Sequence, residues 1–158
     1  MENKIVIEYL IKNNISISFA ESCTGGALAS ALTKIPGASN IFKGSFVTYS
    51  EEWKIKYLGV NENTIKEFGV VSKEVSKEMV NGLVQPSHAN LLVSVTGNAG
   101  PSKGDETKDV GTIFYSIMYK GIIDTTELNL HSSREENINK TVDSIFNKIA
   151  EILDIKED

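Results

Sequence analysis

The sequence predicts an α/β protein, a three-layer α/β/α sandwich on a mixed, mostly parallel five-stranded sheet. Two observations support this fold class: helical and strand-like segments alternate up to Thr96, and a hairpin pattern followed by one long helix closes the chain. With 158 residues the chain is long enough for one core and short for two. We therefore predict a single domain over residues 1–158.

The first elements are a helix, a strand and a second helix. Ile5, Val6, Tyr9 and Leu10 recur at helical spacing and predict an amphipathic helix. Residues 15–20 then alternate bulky and small side chains, which predicts a strand with one bulky and one small-residue face. From Ala27 the apolar residues return to helical spacing, and Pro36 ends that helix.

The middle of the chain predicts a second strand, three helices and a third strand. Aromatic and β-branched residues predict a strand over 42–49, and Ser50 is suited to cap the helix that follows. A short helix is expected over 61–68, and Ser72 opens a longer helix with Pro86 beyond its end. Residues 90–96 form a short apolar run, which predicts a central strand.

The last third begins with a long glycine-rich and charged loop over 97–109. Residues 112–119 and 123–130 then predict an antiparallel pair that turns at Lys120-Gly121. A final helix is expected over 133–153.

Composition excludes several classes of function. The formal net charge of −5 and the absence of a basic cluster argue against a nucleic-acid or membrane-surface partner. Cys23 is the single cysteine, so no internal disulfide can form, and one cysteine with two histidines makes a zinc site improbable. No signal-peptide pattern or membrane-spanning run is present. We expect a cytoplasmic protein without a metal or other cofactor.

The strand ending near Ala20 leads through a small polar turn into a helix, and this turn is the main candidate for a functional site. Ser22, Thr24, Gly25 and Gly26 lie beside the unpaired N–H groups of a helix start. This arrangement suits an anion, or a serine nucleophile whose oxyanion needs donors. The simpler alternative is that Ser22 or Thr24 only caps the helix.

A serine nucleophile needs a base, and histidine is a poor candidate here. His88 is expected at the opposite end of the sheet, and His131 has no evident orienting carboxylate. Lys54 could serve if burial, with Trp53 and Ile55 as its cover, lowered the pKa of its ammonium. Tyr49 could then relay the proton; alternatively, Lys54 is an ordinary solvated lysine.

A second glycine-rich turn, Thr96–Pro101, follows the third strand and lets the backbone approach a sugar or phosphate. Three predicted strands thus end in candidate segments, at the sheet edge where open α/β folds bind ligands. The acidic residues of the next loop could hold a divalent ion, but a solvated loop is the simpler interpretation; they are Asp105, Glu106 and Asp109.

Several blocks, in order, resemble the CinA C-terminal domain family, which includes the PncC-type nicotinamide mononucleotide (NMN) amidohydrolases. The resemblance covers about Ile5 to Ile152, and we expect a stand-alone form of this domain. The blocks are Ala20–Gly26, Pro36–Ser39, Gly44–Lys54, Leu58–Val60, Gly69–Ser72, Thr96-Gly97 with Ala99–Pro101, and Val110–Thr112.

The resemblance implies an amidohydrolase that deamidates NMN to nicotinic acid mononucleotide and ammonia, a step of pyridine nucleotide salvage. Ser22 matches the nucleophile, Lys54 the general base and Tyr49 an assisting phenol. No metal is implied, and a homodimer is plausible. The implied substrate-binding residues are Thr24, Gly25, Gly26, Thr96, Gly97, Ala99, Gly100 and Arg134.

Five positions depart from the family pattern. Asn98 stands where an apolar residue is usual, and Asp109 where a proline is usual. Ser132-Ser133 precedes Arg134 in place of Gly-Asp, and Ile138 stands where a second basic residue is expected. Arg134 is the only arginine and suits a phosphate contact or an ion pair with a neighbouring acid. These departures keep open a non-catalytic nucleotide-binding or protein-interaction module with the same fold.

Overall fold

The computed structural model describes residues 1–157 and confirms the α/β sandwich. One sheet has the strand order β2-β1-β3-β4-β5. β1 pairs in parallel with β2 and β3, whereas β4 pairs antiparallel with β3 and β5, so the sheet is mixed and its parallel part is confined to the first three strands. The strands are Ile17–Glu21 (β1), Phe42–Val47 (β2), Leu91–Gly97 (β3), Thr112–Tyr119 (β4) and Ile122–Asn129 (β5).

Helices cover both faces of the sheet and enclose two apolar cores. α1, α2 and α7 lie on one face; on the other, α5 packs on the sheet and α3 and α4 pack against α5. Within the described residues, no helix has the length and hydropathy needed to cross a bilayer. The helices are Asn3–Lys12 (α1), Ala27–Thr33 (α2), Glu51–Leu58 (α3), Glu62–Phe68 (α4), Lys73–Gly82 (α5), Val84–Ser87 (α6) and Arg134–Ile152 (α7), with a 3₁₀ turn at Ala38–Asn40.

The structure adds one burial pattern to the sequence prediction and corrects another. All five residues of β1 are buried, because helices cover both of its faces: Phe19 packs into the core beneath α1 and α7, and Ala20 into the core beneath α5. In α1 the buried residues are Val6, Ile7 and Leu10, whereas Ile5 is exposed. The small residues of β1 therefore face a second core and not solvent.

Most element limits match the prediction, and three helices start at the expected serines. β2 ends at Val47, two residues early, and Pro86 lies inside the short α6. Each N-cap hydroxyl accepts a hydrogen bond from a backbone N–H of the first turn, as is usual for serine at this position. The pairs are Ser50 with Trp53, Ser72 with Val75 and Ser133 with Glu136.

The loop between β3 and β4 is fastened at Gly111, where the backbone has a φ of +88°. The Gly111 N–H donates to the Asn98 carbonyl (2.7 Å), and its carbonyl accepts from the Leu130 N–H (2.9 Å). A Cβ at Gly111 would overlap the Leu130 carbonyl oxygen. Only glycine therefore fits this position.

We expect Gly111→Ala to lower the free energy of unfolding by about 3 kcal/mol, since it adds a backbone clash to the strain of a positive φ. Gly121 is the matched control, because its φ is +76° but a Cβ there meets nothing within 4 Å. Gly121→Ala should lose only about 1 kcal/mol in urea unfolding. Equal losses in the two variants would contradict the close approach at Gly111.

Candidate functional site

The C-terminal ends of β1, β2 and β3 surround a cavity of about 310 Å³. This volume lies at the small end of the range for ligand pockets. Its position follows from the parallel pairing of these strands, which brings their last residues to one edge of the sheet. The lining residues are Ser22, Cys23, Tyr49, Glu51, Lys54, Val70, Val71, Thr96, Gly97, Asn98, Ala99, Ser102, Lys103, Gly104 and Arg134.

Ser22 and Lys54 are in direct contact at the bottom of this cavity. Lys54 Nζ lies 2.8 Å from Ser22 Oγ and 2.8 Å from the Thr48 carbonyl oxygen. The Thr48 N–H donates to the Glu21 carbonyl (2.9 Å), which holds the end of β2 beside the end of β1. Thr48 therefore positions the lysine through its backbone, although its own Oγ1 is buried without a hydrogen-bond partner among residues 1–157.

Lys54 is a buried lysine, with only 1% of its surface exposed. Desolvation lowers the pKa of Lys54 from 10.5 to about 8, and the negative charge of Glu51 acts against this shift. Trp53 and Ile55 are 49% and 36% exposed, so the expectation that they cover the amine is wrong. The ends of β1 and β2 cover it instead, because Lys54 faces the sheet on the inner side of α3.

Cys23 lines the cavity next to Ser22 but is a poor nucleophile. Burial raises the pKa of its thiol from 9.0 to about 12, although the positive charge of Lys54 acts in the opposite direction. The thiol therefore stays protonated and uncharged near pH 8. At that pH Glu51 is the charged group that opposes the lowering of the Lys54 pKa. Of the two adjacent side chains, Ser22 is the one with a base in hydrogen-bond contact.

Glu21, which precedes the candidate nucleophile, is fully buried and holds the turn together. Its carboxylate accepts hydrogen bonds from Thr24 Oγ1 (2.9 Å) and Ser45 Oγ (2.7 Å). It also accepts from the first-turn N–H groups of Leu28 (2.9 Å) and Ala29 (3.3 Å). This role of Glu21 was not predicted, although the alternation of β1 stops at Glu21 and α2 offers unpaired N–H groups.

Several residues of this turn do not reach the cavity. Thr24 directs its hydroxyl to Glu21, and Gly25 donates its N–H to the Ser22 carbonyl (2.9 Å). The backbone N–H groups of Cys23 and Thr24 form no backbone hydrogen bond within residues 1–157 and are the remaining candidate donors for an oxyanion. Thr24, Gly25 and Gly26 are absent from the cavity lining.

Tyr49 and Arg134 form the outer part of the cavity. Arg134 donates from Nη2 to Tyr49 Oη (2.8 Å) and from Nη1 to the Gly100 carbonyl (2.7 Å). The Tyr49 side chain is 61% exposed, and its hydroxyl contacts neither Ser22 nor Lys54. The structure therefore does not place Tyr49 between the serine and the lysine. Arg134 has no ion-pair partner within the described residues.

The predicted second turn forms the other wall, with Thr96, Gly97 and Ala99 in the cavity lining. Gly100 is not in the lining and contributes its carbonyl to Arg134. Asn98 is buried and organises the loop that follows: its Oδ1 accepts from the N–H groups of Gly104 (2.9 Å) and Asp105 (3.0 Å). Its Nδ2 donates to the carbonyls of Asp105 (2.8 Å) and Lys108 (3.2 Å).

Asn137 attaches α7 to this wall, a role that was also not predicted from the sequence. It is fully buried, and its Nδ2 donates to the carbonyls of Ala99 (3.0 Å) and Ser132 (3.1 Å). Its Oδ1 accepts from the Ser132 N–H (3.1 Å). Ile138, by contrast, packs against the apolar core and does not line the cavity. The start of α7 is therefore fixed by Asn137, which places Arg134 at the cavity.

The other candidate side chains lie away from Ser22 and Lys54. His88 borders a separate depression at the opposite end of β3, and His131 is exposed. Asp105 is buried and accepts hydrogen bonds from Thr107 and from the Val71 N–H (3.0 Å). No group of three or more histidine, cysteine, aspartate or glutamate side chains suited to a metal ion occurs within residues 1–157.

Comparison with known proteins gives consistent matches. Residues 2–153 match the sequence profile of the CinA C-terminal domain. A putative competence-damage inducible protein of Alkaliphilus oremlandii is 48% identical over 131 residues, which are 83% of this chain and 32% of the relative. A CinA-like protein of Fervidobacterium nodosum is 47% identical with the same coverage. The chain spans about a third of the length of these relatives.

Solved structures show the same fold over nearly the whole chain. The competence/damage inducible protein CihA from Agrobacterium tumefaciens matches with a TM-score of 0.87 and 34% identity, covering 93% of this chain and 92% of that one. The competence damage-inducible protein A (ComA) from Klebsiella pneumoniae matches with a TM-score of 0.91 and 28% identity, covering 98% and 96%.

We expect Glu21→Gln to lower the free energy of unfolding by about 2 kcal/mol, because an amide NH₂ would face N–H or hydroxyl donors in a buried site. Glu52→Gln is the matched control, since Glu52 is exposed in the first turn of α3. Its effect in urea unfolding should stay within about 0.5 kcal/mol. A Glu21 variant as stable as the Glu52 variant would contradict the role of the carboxylate in holding the turn.

Proposed function

Because this chain belongs to the CinA C-terminal domain family, we propose that it is a serine amidohydrolase that converts NMN to nicotinic acid mononucleotide and ammonia. The observation that carries the proposal is the 2.8 Å contact between Lys54 Nζ and Ser22 Oγ in a cavity at the strand ends. A hydroxyl and an amine at this distance can exchange a proton directly.

In the first step, neutral Lys54 accepts the proton of Ser22 as Oγ attacks the carboxamide carbon. One N–H of the amine stays directed at the Thr48 carbonyl, and the lone pair accepts the serine proton across the 2.8 Å contact. The tetrahedral intermediate carries a negative oxygen, for which the N–H groups of Cys23 and Thr24 are the available donors. The negative charge of the intermediate therefore develops beside backbone N–H groups whose positions are fixed by the turn.

In the second step, the carbon–nitrogen bond breaks and protonated Lys54 gives its proton to the departing amine, which leaves as ammonia. Water then attacks the Ser22 ester, transferring a proton to Lys54, and the collapse of the second intermediate releases the carboxylic acid. The proton returns from Lys54 to Ser22 Oγ. The lysine thus acts alternately as base and acid, which its lowered pKa of about 8 favours near neutral pH.

The outer part of the cavity supports a nucleotide substrate. Arg134 has no ion-pair partner within residues 1–157, and two of its N–H groups are held by Gly100 and Tyr49. A guanidinium fixed in this way retains N–H donors for a phosphate.

The direct test is the release of ammonia and nicotinic acid mononucleotide from NMN by the purified protein. Ser22→Ala and Lys54→Met should each lower kcat by about a thousandfold or more, because the nucleophile or its base is lost. Lys56→Met is the control, since Lys56 lies on the same helix and is exposed. Wild-type protein that binds NMN for hours without turnover would support a non-catalytic binding module instead.

The pH dependence tests the lysine base separately. Only neutral Lys54 accepts a proton, so kcat/KM should rise with pH and level off above the Lys54 pKa of about 8; well below it, each pH unit should cost about tenfold. Glu51→Gln removes a negative charge that raises this pKa, so the rising limb should move to lower pH. A flat profile through this range, or a shift to higher pH in Glu51→Gln, would contradict the assignment.

A further inference from the structure

Lys103 is the one cavity-lining cation that the mechanism above does not use. It lies in the loop between β3 and β4, is half-buried, and lines the same cavity as Ser22 and Arg134. Its ammonium forms neither a hydrogen bond nor an ion pair with any other residue in the described chain 1–157. A lysine that faces a cavity without a partner is free to meet an anion from solution.

The backbone that carries Lys103 is held on both sides. The Gly100 carbonyl accepts from Arg134 Nη1 (2.7 Å), and the Gly104 N–H donates to Asn98 Oδ1 (2.9 Å). Asn98 is itself buried and uses both ends of its amide within the loop. The segment 100–104 is therefore held at one end by Arg134 and at the other end by Asn98.

The charges around the cavity favour a ligand with negative charge at its outer end. Lys103 and Arg134 are two basic residues of the lining, and Glu51 is its one acidic residue among residues 1–157. A phosphate monoester carries nearly two negative charges at that pH and can accept hydrogen bonds from both cations. The carboxamide of the same molecule would then extend inward toward Ser22.

We infer that Lys103 pairs with Arg134 to bind the phosphate of the substrate and so makes the site selective for a nucleotide over its nucleoside. This inference rests on the proposed function and extends it to a residue of the loop. Asn98 supports this role only through position, because its hydrogen bonds to the N–H groups of Gly104 and Asp105 hold the segment on which Lys103 stands.

The test compares NMN with nicotinamide riboside, which has the same carboxamide and lacks the phosphate. Lys103→Gln should lower the preference for NMN, measured as the ratio of the two kcat/KM values, by about five- to tenfold through KM for NMN. Lys103→Arg should restore most of the preference because it keeps the charge. Raising the salt concentration should weaken the binding of NMN more than that of the riboside, because only NMN carries the phosphate.

Lys108→Gln is the matched control. Lys108 stands on the same loop but directs its ammonium to the Phe68 carbonyl (2.9 Å), outside the cavity lining. This variant should leave the NMN preference unchanged. An equal loss in the Lys103 and Lys108 variants, or an equal effect of Lys103→Gln on both substrates, would overturn the inference.

A separate measurement distinguishes failure of this inference from failure of the proposed function. If wild-type protein releases no ammonia from NMN, the proposed function is wrong, and the phosphate site is decided by calorimetric binding to Ser22→Ala. If Ser22→Ala binds NMN more tightly than the riboside, and the double variant with Lys103→Gln does not, the phosphate site is supported. Equal binding of the two ligands, or no binding of either, overturns it.

Discussion

The site depends on one interaction, the burial of a lysine amine between a serine hydroxyl and a backbone carbonyl. Lys54 Nζ meets Ser22 Oγ and the Thr48 carbonyl at 2.8 Å each, in surroundings that expose 1% of the residue. Desolvation disfavours the ammonium and brings its pKa to about 8. Without this burial the same contact would join a hydroxyl to a permanently charged group, which cannot accept a proton.

The sheet makes that burial possible, because three parallel strands end at the same edge. β1 delivers Ser22, β2 delivers the Thr48 carbonyl and the start of α3, and β3 delivers the wall from Thr96 onward. Two buried polar residues then fix the parts that strands do not reach: Glu21 holds the turn into α2, and Asn137 holds the start of α7. The antiparallel strands lie farther along the sheet and complete the core.

Much of the fold follows from local sequence signals, since periodicity and capping act over a few residues. Ser50, Ser72 and Ser133 were predicted as, or next to, helix starts for this reason, and each is an N-cap. Two features that the sequence did not reveal act across long separations. Asn137 binds Ala99, and the cover of Lys54 comes from strand ends and not from its helix neighbours, so no spacing rule could find them.

The buried amine also has a thermodynamic consequence. The pKa of Lys54 is lower in the folded chain than its ordinary 10.5, so between about pH 8 and 10.5 the unfolded chain binds more protons and stability rises with pH. At neutral pH the amine is charged and buried, and this lowers the free energy of unfolding by about 3 kcal/mol. A laboratory selection for heat resistance alone therefore favours an apolar residue at this position, and its survivors would keep the architecture while losing the chemistry.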